Sequence, residues 1–504
     1  MALWRGHEGC AGAASSSGAQ DRIVAKSFRH TVDMGARRAL ASPESPASKR
    51  FDDRVSKRFD GAHPEDGMFR TRAGAAAGAF LLATSLALTA CSGSGSDDKN
   101  SGSDAKTLTL WHYEGPTSAM GIAWNKAIDI FKQKHPGVTV KFEEKSFEQI
   151  QQNAQMILNS DSAPDIMEYN KGNATAGLLS KQGLLTDLSD QATQRGWDKK
   201  LSNSLQTTAK YDDNGIMGSG KWFGVPNYGE YVMVYYNQDM FKKYNLQVPA
   251  TLDDFTKVMD AFKAKGITPL SVGGAEYPAQ QIFYELALSK ADRSFVDDYQ
   301  LYKNKVDFHG PQLTYGAQTF SDWVSKGYIA KNSAGIKAED MGVAWEQGKF
   351  PILISGSWWY GRFASEVKNF QWGTFLFPGN SLHPGSSGNI WVVPEKSKAK
   401  SLAYDFIDIT MSPEIQNLLG NSGGVPVAAD ASAITDAKNK ELIDNFNKIS
   451  SQDGLAFYPD WPAPGYYDVL VAGVQGLING SKTPAAFLDE IAKPYNQNLT
   501  DIGK

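Results

Sequence analysis

Polar and apolar residues alternate along Thr107-Leu-Thr-Leu-Trp-His-Tyr113, the period of a half-buried β-strand. From Ile122 to Lys134 the apolar positions recur at helical spacing, and His135-Pro136-Gly137 closes the run. Residues 138–142 return to a strand pattern. Ser146 and Gln149 then spell a capping box, followed by Phe147, Ile150, Ala154 and Ile157 at helical spacing. Asp165-Ile-Met-Glu-Tyr169 reads as a third strand. This β-α-β-α-β order predicts a parallel sheet flanked by helices, because parallel neighbours need a crossover between them.

The pattern restarts near Trp222-Phe-Gly-Val-Pro226 and runs on through the apolar stretch 231–236. Thr251 and Asp254 cap a helix that stops at Gly266, and residues 267–272 predict a strand. Ser412-Pro413-Glu414 opens a short helix with proline at its first position, and Gly420 ends it. No solenoid repeat is visible. In open α/β sheets ligands bind beyond the carboxyl ends of the strands. That rule directs attention to the loops opening at Tyr113, Tyr169, Tyr228 and Gly273, most of which begin with an aromatic residue.

Upstream of residue 107 the pattern changes kind. Met68-Phe-Arg-Thr-Arg72 is positively charged, and residues 73–90 are apolar and end in small side chains, the layout of a secretory signal peptide. The apolar segment is too short and too rich in Ala and Gly for a membrane span, which needs roughly 20 strongly apolar residues, so cleavage is the expectation. Leu88-Thr-Ala-Cys91 resembles a bacterial lipobox, in which the cysteine thiol is acylated and becomes the new N-terminus. This makes 68–90 a lipoprotein signal peptide and Cys91 a lipid anchor on the extracellular face of the cell membrane. Residues 91–105, rich in Gly, Ser and Asp, are a flexible tether. Residues 1–67 repeat Lys-Arg-Phe-Asp at 49–52 and 57–60 and show little hydrophobic periodicity. They are expected to be a disordered leader or an upstream artefact, with translation starting at Met68.

Composition narrows the chemistry. Cleavage before Cys91 leaves residues 91–504, enough for two or three domains at about 150 residues each. The other cysteine, Cys10, lies in the leader, so disulfides and cysteine-ligated metals are excluded downstream of Cys91. A formal net charge of −4 offers no basic excess for nucleic acid. Aromatic residues reach 11% and include 12 Trp, some of which can serve as ligand platforms.

Two catalytic motifs almost form. Gly215-Ile-Met-Gly-Ser-Gly220-Lys221 falls one residue short of a phosphate-binding P-loop, since Trp222 stands where a magnesium-binding Ser or Thr is needed. Gly420-Asn-Ser-Gly-Gly424 matches a nucleophile elbow in letters, but it follows a helix and reads as that helix's C-cap. His112, His135, His309 and His383 show no metal-ligand spacing, and no metal or cofactor is implied. Glu114, Glu230 and Asp460 could pair across a sugar cleft, since glycosidases need only two carboxylates. A secreted glycoside hydrolase is therefore the alternative reading, and an adhesin binding polymer ends a third.

Ala163-Pro-Asp-Ile166, Gly224-Val-Pro226, residues 234–241, the long segment Trp345-Glu-Gln-Gly-Lys-Phe-Pro to Gly356-Ser-Trp358, Trp391-Val-Val-Pro394 and Ser412-Pro-Glu-Ile-Gln416 follow one another in an order that resembles the extracellular solute-binding proteins of carbohydrate ABC importers, family 1. The resemblance runs from Thr107 onward. It implies an α/β, periplasmic-binding-protein-like type II fold: two lobes, a hinge and an interlobe ligand cleft. The chain should cross between lobes near 227–231, 375–379 and 420–427. One lobe would comprise 106–229 and 379–424, the other 230–378 and 425–504.

The same resemblance implies the contacts. The loop after the first strand contributes Tyr113 and Glu114, and the loop after Pro-Asp-Ile contributes Tyr169 and Asn170. Tyr228 and Glu230 lie at the first crossing, Trp358 or its neighbour Trp359 supplies a stacking ring, Asn389 adds an amide, and Asp460 with Trp461 completes the set. A pyranose has apolar C–H faces and a rim of hydroxyls, so aromatic rings beside carboxylates or amides are what it requires. The expected protein is a monomeric, non-catalytic, membrane-anchored extracellular receptor that binds an oligosaccharide and delivers it to an ABC permease.

Overall fold

The computed structural model describes residues 105–504. The leader, the signal peptide, Cys91 and nearly all of the tether lie outside the described residues.

Two five-stranded sheets organise the chain. The first contains β1 (Thr107–His112), β2 (Thr139–Glu144), β3 (Ile166–Tyr169), β6 (Val225–Pro226) and β12 (Ile390–Val392), in the order β2-β1-β3-β12-β6. β1 runs parallel to both β2 and β3, as the β-α-β-α-β pattern predicts, while β12 is antiparallel to its neighbours. The crossovers are helix α1 (Ala119–Lys134), N-capped by Ser118, and helix α2 (Phe147–Asn159), where the Ser146/Gln149 capping box forms. α1 is covered by helices 400–410 and 413–421. Trp124 meets Trp391 edge-on at 5.6 Å and Phe131 meets Phe406 at 6.0 Å.

In the chain between β3 and β6, β4 (Lys210–Tyr211) and β5 (Lys221–Trp222) form a small hairpin. It carries the Gly215–Lys221 segment, which thus opens no helix; the Met217 amide donates to Asn173 Oδ1 instead of facing an anion. Gly420–Gly424 closes a helix as expected, with the Gly424 amide donating to Leu419 O at 3.0 Å.

The second sheet contains β7 (Gly229–Asn237), β8 (Leu270–Ser271), β9 (Ile352–Gly356), β10 (Trp372–Phe375) and β11 (Gly385–Ser387). Its path is β10-β7-β9-β8, and β11 pairs with the first three residues of β7. The strand foreseen over 267–272 is only the two residues of β8. β7 and β9 are buried on both faces, which is why they read as unbroken apolar runs. Helices 466–479 and 484–501 pack against 278–288 and 311–325 on this side.

The chain leaves the first sheet after Pro226 and enters the second at Gly229, within the foreseen first crossing. The return does not fall at 375–379. β10 and β11 both pair with β7, so the chain stays on the second sheet through Ser387 and rejoins the first only at Ile390. The two passages lie side by side, with the Gly388 amide on Tyr228 O at 2.6 Å, and Val425 bridges to Gly229. Gly388 is required there: a Cβ would fall 2.2 Å from the Tyr228 ring.

Candidate functional site

The strand ends and the paired passages border one cavity of about 470 Å³. Just past β1, the Glu114 amide donates to His112 Nδ1 at 3.2 Å, which turns the loop. Ser118 then serves twice: its hydroxyl accepts from the Gly121 amide at 2.9 Å, capping α1, and donates to Glu114 Oε2 at 3.2 Å. Past β3 come Asn170 and Lys171. Lys171 is 2% exposed; its ammonium forms a short ion pair with Glu230 and donates to Asn389 Oδ1 at 3.0 Å. Asn389 Nδ2 donates to Tyr228 Oη at 2.9 Å, and that hydroxyl reaches Glu114 Oε1 at 3.5 Å. One polar chain, Glu230–Lys171–Asn389–Tyr228–Glu114–Ser118, thus ties both strand-end loops to both passages.

A run of aromatic rings lines the same cavity. Tyr113 and Phe147 meet at 5.4 Å, Phe147 and Tyr277 at 6.2 Å, Tyr277 and Trp358 at 5.7 Å, Trp358 and Tyr458 at 6.2 Å, and Tyr458 and Trp461 at 5.2 Å. The Trp358 indole N–H donates to Tyr277 Oη at 3.2 Å, fixing the ring that follows β9. The Lys171 ammonium lies 5.2 Å from the Trp461 ring and 5.5 Å from Tyr458. Gly172 lets Trp461 in: its φ is +104°, and a Cβ there would overlap the indole at 2.6 Å.

Ten of the eleven residues singled out in the sequence border this cavity: Tyr113, Glu114, Asn170, Tyr228, Glu230, Trp358, Trp359, Asn389, Asp460 and Trp461. Trp359 does so while its ring stacks on Phe363 at 5.4 Å with the Arg362 guanidinium above it. Tyr169 does not border it. Alternation along β3 sends Tyr169 to the same buried cluster as Met167, where it packs. Lys171, Phe147, Tyr277 and Tyr458 line the cavity too and were not foreseen. Lys171 and Tyr458 each adjoin a segment singled out for other residues; Tyr277 comes three residues past Gly274 with no motif of its own.

Burial dominates the electrostatics. It pushes the Glu114 carboxyl up to about 7, against the Ser118 hydrogen bond and with the help of the Glu230 charge. Asp460 is pushed up to about 6, again chiefly by burial. Glu168 is fully buried, and its carboxyl is held well above the usual range by burial and then by Glu114. Burial lowers Lys171, and Glu230 opposes that. Among the described residues no group of three or more His, Cys, Asp or Glu side chains could hold a metal ion.

Two sheets joined by adjacent passages over a walled cavity define a two-lobed ligand-binding protein of the periplasmic-binding-protein type. A model of the family described as bacterial extracellular solute-binding protein matches residues 115–417, and the chain belongs to that family. A relative named "Probable sugar-binding periplasmic protein" from Mesorhizobium japonicum is 26% identical over 324 residues, covering 59% of this chain and 73% of its own. A maltooligosaccharide ABC transporter solute-binding lipoprotein of Streptococcus pneumoniae is 24% identical over 378 residues, 71% of this chain and 81% of its own. The solved structure of a chitin oligosaccharide binding protein superposes with a TM-score of 0.67 at 24% identity, covering 79% of this chain and all of that one, 100%.

Proposed function

We propose that this chain is the receptor of an ABC importer for an oligosaccharide, held between the two sheets by the aromatic rings and the polar chain, and presented to a membrane permease. The observation that carries this is the juxtaposition itself: a line of rings from Tyr113 to Trp461 shares one cavity with hydrogen-bonding groups from four separate segments, in a volume within the range of small-molecule sites, about 300–1,000 Å³. Relatives named for sugars support the cargo class, and the lipoprotein relative supports anchoring through Cys91.

In this reading one lobe holds the first sheet and the other holds the second, with the hinge at 227–228 and 388–389. A sugar that touches both lobes favours the closed arrangement, because only closure completes its contacts. The rival reading, a glycoside hydrolase, finds no support among the family and the relatives, which are named as binding proteins. Titrating the full chain with an oligosaccharide panel while following tryptophan fluorescence, and assaying each endpoint for sugar products, separates the two. Saturable binding with the sugar left intact is expected; products would make the protein a hydrolase, and silence across the panel would remove carbohydrate as the ligand.

A further inference from the structure

The segment that brings Tyr458, Asp460 and Trp461 to the cavity lies between helices Ala437–Ser451 and Tyr466–Asn479 and has no helix or strand of its own. Two isolated bridges, His383 to Leu455 and Gly385 to Phe457, are its only ladder contacts among the described residues. Buried carbonyls in such a segment need partners from elsewhere. Side chains supply them. Leu455 O accepts from Arg293 Nη1 at 2.6 Å, Ala456 O from Tyr284 Oη at 3.0 Å, Tyr458 O from Gln300 Nε2 at 2.8 Å, Pro459 O from Tyr299 Oη at 2.8 Å and Pro462 O from Tyr302 Oη at 2.7 Å.

Two of these holds fall where the site needs them. Tyr299 and Gln300 are neighbours in the last turn of helix Arg293–Leu301, and the carbonyls they hold belong to the two peptide units that join Tyr458 to Asp460. Both side chains are 0% exposed, and neither borders the cavity. Just before them in the loop, Phe457 has φ +59°, a left-handed conformation that a bulky residue keeps only where its surroundings over-determine it. A loop without such holds would sample many shapes and lose that freedom on binding, which lowers affinity.

We infer that Tyr299 and Gln300 are positioning residues of the binding site: they fix the peptide units from Tyr458 to Asp460, so that Tyr458, Asp460 and Trp461 meet the sugar already in place. This rests on the receptor function proposed above. The two side chains act only through the loop, since the helix that carries them lies behind it.

The test uses the full chain and three variants. Tyr299→Phe and Gln300→Met each remove one donor and keep most of the volume. Tyr495→Phe is the control, because its buried hydroxyl donates to Asp298 O at 2.9 Å on the same helix and holds no part of the loop. Thermal unfolding confirms that all three fold. Without sugar, hydrogen exchange read by mass spectrometry should run at least about tenfold faster over 455–463 in the first two variants than in the control, with the β1–β3 core unchanged. Maltotriose, triacetylchitotriose, xylotriose and raffinose are then titrated calorimetrically. The sugar that binds the unmodified chain should bind about fivefold or more weakly to Tyr299→Phe and Gln300→Met and equally well to Tyr495→Phe. Unchanged exchange in the loop, unchanged affinity, or a loss of affinity that the control shares overturns the inference and leaves the receptor standing. If none of these sugars binds the unmodified chain, the receptor proposal falls and the inference with it.

Discussion

At the scale of single residues, the site depends on a few side chains whose surroundings leave little freedom. Trp358 is fixed by its hydrogen bond to Tyr277 and is only partly buried, so its face is available to a ligand. Trp358→Ala is expected to weaken sugar binding by tenfold or more, since an aromatic stacking contact contributes about 0.5–1.5 kcal/mol beyond the area it buries, with a small change in melting temperature. Affinity unchanged in a fluorescence titration would remove Trp358 from the site. Lys171 has the opposite character. Lys171→Met leaves Glu230 buried without its cation, which costs about 3–5 kcal/mol, so a large fall in thermal stability is expected even without ligand. Glu114 ties stability to pH. Its carboxyl is raised from 4.5 to about 7 in the folded chain, so the folded state binds the proton more tightly than the unfolded state. That contribution is present at low pH and is lost as pH rises through the interval between the two values. Glu114→Gln lacks it; relative to the unmodified chain its melting temperature should climb between about pH 4 and pH 8, and a pH-independent difference would contradict the assignment.

At the scale of elements, helix starts and strand ends place the chemistry. Ser118 joins the two, because the hydroxyl that caps α1 also orients Glu114. Ser118→Ala should cost about 1 kcal/mol of stability from the lost cap and also weaken ligand binding; an affinity equal to that of the unmodified chain would show that the orienting bond is dispensable. The capping box at Ser146 and the parallel β1–β2–β3 core were legible in sequence because both rest on local spacing. The return passage was not. β10 and β11 are four and three residues long, and what keeps them on the second sheet is pairing with β7, more than a hundred residues earlier. Tyr169 was misplaced for a related reason: the strand-end rule identifies the loop, but the alternation of the strand decides which side chain enters it.

At the scale of the whole molecule, the proposed hinge predicts a measurable change in shape. The passages at 227–228 and 388–389 are adjacent strands of chain, joined by the Gly388–Tyr228 hydrogen bond, with Val425 bridged alongside. Such a narrow connection lets two bodies rotate while the cavity between them closes on a ligand. Small-angle scattering should show a smaller radius of gyration with saturating sugar than without it. An identical radius alongside demonstrable binding would mean that the ligand enters a cleft already closed.

The sequence by itself determined the alternation of strands and helices, the caps, the failure of the P-loop and nucleophile-elbow motifs, and, through the order of its motifs, the family. Each of these is written in neighbouring residues or in linear order. Tertiary structure decided that Lys171 sits among Glu230, Asn389, Tyr458 and Trp461, that Glu114 and Asp460 are buried, and that Phe147 and Tyr277 extend the wall. Those contacts join residues 59 to 290 positions apart in the case of Lys171 alone, and the burial that sets their charge exists only after the two sheets have come together.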